Sequence, residues 1–193
     1  MVTNKYKILF AGDVGTGKTT AIRTISDIDT VDTDVNASDA HIIGKKNTTV
    51  AFDYGEVTLP YLQQKLRLYG IPGQPRFSFM WEMLAEGIIG TVLLADNSKP
   101  DSIKNARTFI KSYLPILNQT KTSIILGITK IDLAVEYEIE KYQNMLLECN
   151  VCAQVHTIDA RNKEDILFLI NSLLKQELKS YLLKTNNIAT TCN

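Results

Sequence analysis

The chain has 193 residues, of which 45% are hydrophobic, so it can bury one full core but is too short for two ordinary domains. Its 21 lysines and arginines balance its 21 aspartates and glutamates, and this zero net charge argues against nucleic acid as a partner. The three cysteines, Cys149, Cys152 and Cys192, form a sparse, odd-numbered set that is typical of a reduced, cytoplasmic protein.

The ends of the chain predict no signal peptide, membrane span or intrinsic membrane anchor. No apolar run reaches the length of about 18 residues that a span needs. Val2 does not fit the myristoylation pattern, and Cys192 stands too close to the end for a prenylation box. A zinc site is also disfavoured, because the C-x-x-C of Cys149 and Cys152 has few other ligands available.

Strands and helices alternate along the chain. Apolar runs and alternating patterns predict strands at residues 7–11, 48–54, 64–69, 88–95, 123–129 and 155–158. The strands at 48–54 and 64–69 are expected to be joined by a turn near Gly55 or Pro60. Helical spacing predicts helices at residues 18–26, from Ser98 to about Pro115, around 135–146 and at 162–183.

Two segments lack a regular period. Residues 27–47 are polar and are predicted to form a long functional loop. Residues 184–193 are predicted to form a flexible tail. The rest predicts one α/β domain over residues 1–193, with a mostly parallel six-stranded sheet covered by helices on both faces. Ligands of such sheets bind beyond the carboxyl ends of the strands.

The stretch GDVGTGKT at residues 12–19 lies between a predicted strand and a predicted helix, as the phosphate loop of P-loop NTPases does. Its glycines allow the backbone N–H groups to turn toward phosphate oxygens. Lys18 supplies a positive charge to the outer phosphates, and Thr19 offers a hydroxyl to magnesium. The residues expected to line the phosphates are Gly12, Asp13, Gly15, Thr16, Gly17, Lys18, Thr19 and Thr20.

The motif TKID at residues 129–132 follows a buried strand at the same predicted edge and matches the guanine-recognition pattern [N/T]-K-x-D. The Asp132 carboxylate can accept from two N–H groups of guanine, whereas adenine would leave it unpaired. Lys130 is expected to lie along the base, and Thr129 stands where asparagine is commoner. After the last strand, Asp159, Ala160 and Arg161 either present the Ala160 N–H to the guanine oxygen or form an ordinary turn.

In this order the motifs resemble those of the Ras-like small GTPases across residues 6–183. The stretches KILFAGDVGTGKTTAIRTIS, TTVAFDYG and LYGIPGQPRFSFMW are similar to a prokaryotic branch, the GTPases encoded beside roadblock-type regulators, including those of conservon operons. The polarity GTPase MglA is a more distant relative. The resemblance implies a cytoplasmic switch that binds GTP or GDP with Mg²⁺, hydrolyses GTP slowly, and has a roadblock-type regulator and an activating protein as partners.

One residue departs from the Ras-like pattern. The second switch of that family begins D-x-x-G-Q and its aspartate supports magnesium, whereas this chain has Gly70 there and retains Gly73 and Gln74. Either the enzyme is inactive or another carboxylate replaces the aspartate. We expect Asp53 to do so, with Thr49 (or Thr48) as a magnesium ligand. The alternative is that Asp53 makes an ordinary turn hydrogen bond.

The resemblance assigns the orientation of the attacking water to Gln74 and leaves the source of a charge-stabilising arginine open. Arg76, Arg23 and a partner protein are the candidates. The apolar string Phe77, Phe79, Met80 and Trp81 either packs in the core or contacts a regulator. Two other functions stay open, a nucleotide-dependent scaffold without hydrolysis and a nucleotide or sugar kinase. The kinase is disfavoured because the sequence shows no arginine-rich lid.

Overall fold

The computed structural model describes residues 6–35, 50–59, 65–134 and 138–190. In chain order its elements are β1 (Lys7–Ala11), α1 (Lys18–Ile25), β2 (Val31–Val35), β3 (Val50–Thr58), β4 (Lys65–Gly70), α2 (Ser78–Ala85), β5 (Gly90–Asp96), α3 (Ser102–Thr120), β6 (Ser123–Thr129), α4 (Ile139–Glu148), β7 (Gln154–Thr157) and α5 (Lys163–Thr190). Short 3₁₀ turns precede α2 and follow β6.

The strands form one sheet in the order β2-β3-β4-β1-β5-β6-β7. Five neighbouring strands, β4, β1, β5, β6 and β7, pair in parallel. At the β4 edge, β3 pairs antiparallel with β4 and β2 pairs antiparallel with β3. Helices α1 and α5 pack on one face, and α2, α3 and α4 pack on the other. The predicted α/β architecture, a P-loop NTPase fold with helices on both faces, is confirmed, although the sheet has seven strands instead of six.

The seventh strand, β2, lies inside the segment that was predicted to be a loop. Its sequence VDTDV contains three polar residues. Among the described residues it pairs only with β3, from Val31 opposite Tyr54 to Val35 opposite Val50. Because it is the edge strand, it needs only one ladder and no continuous apolar run. The polar composition of β2 therefore did not give the apolar or alternating pattern from which a strand is predicted.

The connection between β3 and β4 also differs from the prediction. The ladder between these strands is continuous from Asp53 opposite Gly70 to Thr58 opposite Lys65. The turn expected near Gly55 was wrong, because Gly55 lies within β3. The alternative position, Pro60, lies outside the described residues, as do Thr48 and Thr49.

Two helices begin or end away from their predicted limits. Helix α3 begins at Ser102 instead of near Ser98, because the backbone N–H and the hydroxyl of Ser98 both donate to Asp96 Oδ1. Helix α5 continues to Thr190, so most of the segment expected to be a flexible tail is helical. No helix within the described ranges combines the length and the apolar character that crossing a membrane requires.

The single tryptophan of the chain is buried in the core between α2 and α3. Trp81 is 1% exposed and packs against the rings of Phe109 and Tyr113, with centroid distances of 5.5 and 5.4 Å. Its Nε1–H donates to the Pro72 carbonyl at 2.9 Å. Helix α2, which carries Trp81, was not predicted, since its eight residues SFMWEMLA are too few to show a clear apolar period.

Candidate functional site

The site lies at the carboxyl edge of the parallel strands, where the loop after β1 meets the ends of β5 and β6. The Thr129 hydroxyl, at the end of β6, contacts the Thr16 carbonyl at 3.0 Å and the Ala95 carbonyl at 3.1 Å. Thr129 is 1% exposed, and its two contacts connect the end of β6 to the phosphate loop and to β5. The position follows from the fold, because parallel strands bring their carboxyl ends to one edge.

The loop at residues 12–17 takes a path that only glycines follow without strain. Gly12, Gly15 and Gly17 have φ angles of 147°, 82° and 96°, in the region that favours glycine. The Thr16 hydroxyl donates to the Asp13 carbonyl at 3.0 Å, and the Asp13 carboxylate accepts from the Val14 N–H at 2.7 Å. Helix α1 begins directly after Gly17 and directs its positive end toward the loop.

Lys18 is folded back into the loop. Its Nζ donates to the carbonyls of Gly12 at 2.8 Å and Asp13 at 2.7 Å, and the residue is only 9% exposed. Burial lowers the pKa of Lys18 from 10.5 to about 8, against the opposing charges of Asp53 and Asp13. The ammonium group is therefore poorly solvated and gains stabilisation from an anionic ligand.

This shift predicts a pH dependence of phosphate binding. Only protonated Lys18 attracts phosphate. The affinity for a nucleotide is therefore highest below the Lys18 pKa of about 8 and falls as the pH rises above that pKa. One linked proton gives a loss of at most about tenfold per pH unit. Nucleotide affinity measured from pH 7 to 9.5 at fixed magnesium checks this expectation.

The matched control is Lys18→Arg, whose guanidinium stays charged throughout that range. It also corrects for any titration of the nucleotide itself, since the nucleotide is the same in both series. We expect the affinity of this variant to fall less with pH than that of the wild type, because only the wild type also loses the charge of Lys18. Parallel profiles for the two proteins would contradict the assignment of the pH dependence to Lys18.

Asp53 and Thr19 meet beside the loop. The Thr19 hydroxyl donates to Asp53 Oδ2 at 2.7 Å, although the two residues lie on α1 and β3. Asp53 pairs with Gly70 across the β3–β4 ladder. A Cβ at Gly70 would lie 2.7 Å from Asp53 Oδ2, so the absence of a side chain at residue 70 provides the space that the Asp53 carboxylate occupies.

A hydroxyl and a carboxylate are the oxygen ligands that Mg²⁺ prefers. Thr19 and Asp53 therefore fit the metal that accompanies nucleotide phosphates, which normally supply further ligands themselves. In the parts of the chain that the structure describes, no group of three or more His, Cys, Asp and Glu side chains lies close enough together to hold a metal. Thr49, the other predicted ligand, lies outside these parts.

The segment after β4 lies directly against the phosphate loop. The Ile71 N–H donates to the Phe10 carbonyl at 3.0 Å, which directs the chain toward the loop. A Cβ at Gly73 would lie 2.6 Å from the carbonyl carbon of Asp13 and 2.7 Å from both Gly12 O and Val14 N. Only glycine permits this approach, and it places the half-buried Gln74 next to the loop.

The candidate arginines occupy separate positions. The Arg76 guanidinium lies 4.7 Å from the centroid of the Phe77 ring. The Arg23 Nε–H donates to the Thr30 hydroxyl at 3.2 Å. The apolar string after Gln74 divides between core and surface, because Met80 and Trp81 are buried whereas Phe79 is 45% exposed.

Asp96 is a site residue that the sequence analysis missed. Its side chain is only 4% exposed, and its Oδ2 accepts from Lys130 Nζ at 2.7 Å. Burial acts to raise the pKa of Asp96, but hydrogen bonds from Lys130 and Ser98 outweigh it and hold that pKa below its usual range. The available signal was an acidic residue directly at the end of a buried strand, at the edge where ligands bind.

The remaining predicted base contacts form one group at the rim. The Asp132 carboxylate follows β6 and is half exposed, and Arg161 donates to it at 3.0 Å. Arg161 also holds Asp159, and these hydrogen bonds lower the pKa of Asp159. Ala160 is buried and would lie 3.1 Å from a Cβ at Gly17, so the turn after β7 contacts the phosphate loop.

Comparisons with known proteins place the chain among nucleotide-binding proteins. The profile of a family described as a conserved hypothetical ATP binding protein matches residues 26–190. The match begins after the phosphate loop, so that loop is an independent observation. An uncharacterized protein of Methanocaldococcus jannaschii, MJ1339, is 31% identical over 102 residues, which cover 51% of this chain. The chain matches only 56% of that relative's length.

The family profile covers well over half of the chain, and its nucleotide-binding character agrees with the fold and with the phosphate loop at residues 12–19. The chain is a P-loop NTPase and belongs to the family of conserved hypothetical ATP binding proteins.

Proposed function

We propose that this protein is a guanine-nucleotide-dependent switch that binds GTP or GDP with Mg²⁺ and hydrolyses GTP slowly, within a single domain. The observation that carries the proposal is the bond between Thr129 and Thr16. It joins the TKID motif to the phosphate loop, so a nucleotide whose phosphates lie in the loop would extend its base toward Asp132. The proposal differs from the family description, which mentions ATP.

The choice of base depends on the chemistry of one carboxylate. Ionised Asp132 only accepts hydrogen bonds. Guanine offers it a ring N–H and an exocyclic amine. Adenine offers no matching pair, so the acceptor positions of Asp132 that Arg161 does not occupy would lose their water without gaining a donor. That penalty is about 1–3 kcal/mol, which corresponds to a preference of roughly fivefold to 150-fold for guanine.

At the phosphate end, Lys18, Thr19, Asp53 and Gln74 are the residues that would contact the triphosphate, its metal ion and the attacking water. Lys18 would exchange the carbonyls of Gly12 and Asp13 for phosphate oxygens, which accept more strongly because they are charged. A bound magnesium ion would neutralise phosphate charge, and Thr19, Asp53 and Thr49 are the residues that would hold it. Gln74, which follows Gly73 in the chain, would orient the attacking water; the close approach of Gly73 to the phosphate loop supports this role.

Hydrolysis by these parts alone is expected to be slow, about 10⁻⁴ to 10⁻³ per second, because the parts named above do not include an arginine to stabilise the transferring group. Arg76 lies over the Phe77 ring, an arrangement that favours an activating partner as the source of that charge. A roadblock-type regulator is the second partner that we propose. Binding of GTP would then change the segment around Gly73 and Gln74, which carries the exposed Phe79.

A direct competition experiment tests the proposal. Protein freed of nucleotide is titrated with labelled GDP and challenged with unlabelled GTP, GDP, ATP and ADP in the presence of magnesium. We expect guanine nucleotides to compete at least about fivefold better than adenine nucleotides. Equal competition by ADP, or no binding of either, would refute guanine recognition.

A second measurement separates the switch from a scaffold without hydrolysis. Phosphate release from GTP is followed over hours for the wild type and for Gln74→Ala. A slow wild-type rate that falls in the variant supports the switch. Guanine binding with no release above the buffer background would instead support the scaffold.

A further inference from the structure

Three charged side chains meet at the rim of the proposed base site. Asp132 follows β6, and Asp159 and Arg161 lie in the turn between β7 and α5. The Arg161 Nε donates to both carboxylate oxygens of Asp159, at 2.8 and 3.1 Å, and a terminal nitrogen donates to Asp159 Oδ2 at 2.7 Å. The same terminal nitrogen donates to Asp132 Oδ2 at 3.0 Å.

The two carboxylates are held unequally. Asp159 receives the two-nitrogen fork of the guanidinium, and its Oδ1 also accepts from the Arg161 backbone N–H at 2.9 Å. The Asp159 backbone N–H in turn donates to Asp165 Oδ2 at 2.8 Å. The planar arginine fork is therefore fixed on its own turn, and one remaining contact reaches the carboxylate on the neighbouring strand end.

That contact leaves Asp132 able to bind a base. Each carboxylate oxygen offers about two acceptor positions, so Arg161 uses one position on Oδ2 and leaves the others open. The Asp132 side chain is 50% exposed, and without Arg161 it would rotate in solvent and be repelled by the Asp159 carboxylate. Holding a side chain in its binding orientation in advance reduces the ordering cost of association.

We infer that Arg161 is a positioning residue for base selection, which holds the Asp132 carboxylate in the orientation that accepts two N–H groups of a 2-amino-6-oxopurine. This inference rests on the proposed function and assigns the discrimination to a pair instead of to Asp132 alone. Asp159 serves as the support of the arginine. The ligand class that benefits is a purine nucleotide with both a ring N–H and an exocyclic amine.

The test compares GDP, IDP and ADP, because inosine retains the ring N–H of guanine but lacks its exocyclic amine. Arg161→Ala is expected to weaken GDP binding about threefold to tenfold and to leave ADP binding unchanged. A freely rotating carboxylate still forms one hydrogen bond, so the ratio of GDP to IDP affinity is expected to fall as well. If Arg161 only stabilised the fold, its substitution would weaken the binding of all three nucleotides equally.

Three further variants complete the design. Arg161→Lys keeps the charge but not the fork and should give an intermediate ratio. Asp159→Ala removes the support but keeps Arg161 and should also lower the ratio. The control is Lys163→Ala, which removes an exposed cation two residues from Arg161 and should behave as the wild type. Thermal unfolding of each variant shows whether it is folded.

The outcomes separate this inference from the proposed function. Wild-type protein without a preference for guanine refutes the proposed function and the inference with it. A wild type that prefers guanine, together with an Arg161→Ala variant of unchanged GDP to IDP ratio, refutes the inference alone. Tighter GDP binding by Arg161→Ala also overturns it, since Arg161 would then obstruct the base site.

Discussion

Replacing Asp53 by glycine is expected to make nucleotide binding almost insensitive to magnesium, and adding Gly70→Asp to that variant is expected to restore the sensitivity. Asp53 and Gly70 lie opposite each other in the β3–β4 ladder. Either position can therefore direct one carboxylate toward the Thr19 hydroxyl, which now contacts Asp53 at 2.7 Å. Loss of a residue that supports a metal ligand typically costs about tenfold to a hundredfold in affinity.

The single change Gly70→Asp is expected to be worse than either the wild type or the double variant. Its Cβ would lie 2.7 Å from Asp53 Oδ2 and 3.0 Å from Ile22 Cδ1. Such overpacking typically costs about 1–3 kcal/mol of unfolding free energy, and two adjacent carboxylates repel each other. Residue 70 does not have a positive φ angle. Removing the Asp53 side chain therefore leaves only the contact with the end of the Ile22 side chain, which a small shift of Ile22 relieves.

Affinity for GDP measured with excess magnesium and again with EDTA gives the magnesium dependence of each protein. The control is Asp29→Ala, which removes an exposed aspartate just before β2. We expect the ratio of the two affinities to fall for Asp53→Gly and to recover in the double variant. If Asp53→Gly keeps the full wild-type ratio, Asp53 only forms a local hydrogen bond and does not support a bound magnesium ion.

The sequence was sufficient for the central strands and for the phosphate loop. β1, β5 and β6 are buried runs such as SIILGIT, whose apolar character results from burial on both faces of a parallel sheet. The loop was predictable because phosphate binding restricts the residue types at several consecutive positions. Gly12, Gly15 and Gly17, for example, are required by their positive φ angles.

Other features depend on contacts between distant parts of the chain and could not be read from local pattern. The proximity of Asp53 to Thr19, which was expected only from the family resemblance, depends on the register of β3 against β4, and a shift by one residue would turn Asp53 to the other face. Similarly, the ion pair of Lys130 with Asp96 joins the ends of two strands. Tertiary packing decides such contacts, whereas the strand propensity of the polar β2 was too weak to detect.

Trp81 shows how the core and the proposed switch depend on each other, because its ring fills the core while its Nε1–H holds the Pro72 carbonyl. Trp81→Ala is expected to lower the free energy of unfolding by about 3–5 kcal/mol, since it leaves a cavity beside Phe109 and Tyr113. Trp81→Phe keeps most of the volume but removes the hydrogen bond, and an intramolecular hydrogen bond contributes about 0.5–1.5 kcal/mol.

Denaturant unfolding followed by circular dichroism measures the loss of unfolding free energy in Trp81→Ala and in Trp81→Phe without relying on the fluorescence of the tryptophan itself. The neighbouring Phe79→Ala is the control, because Phe79 is 45% exposed and exposed substitutions usually change stability by less than about 0.5 kcal/mol. Trp81→Phe is additionally expected to slow GTP hydrolysis relative to Phe79→Ala, since releasing Pro72 loosens the segment that places Gln74. A Trp81→Ala variant no less stable than Phe79→Ala would contradict the packing role of Trp81. An unchanged hydrolysis rate in Trp81→Phe would contradict its link to Gln74.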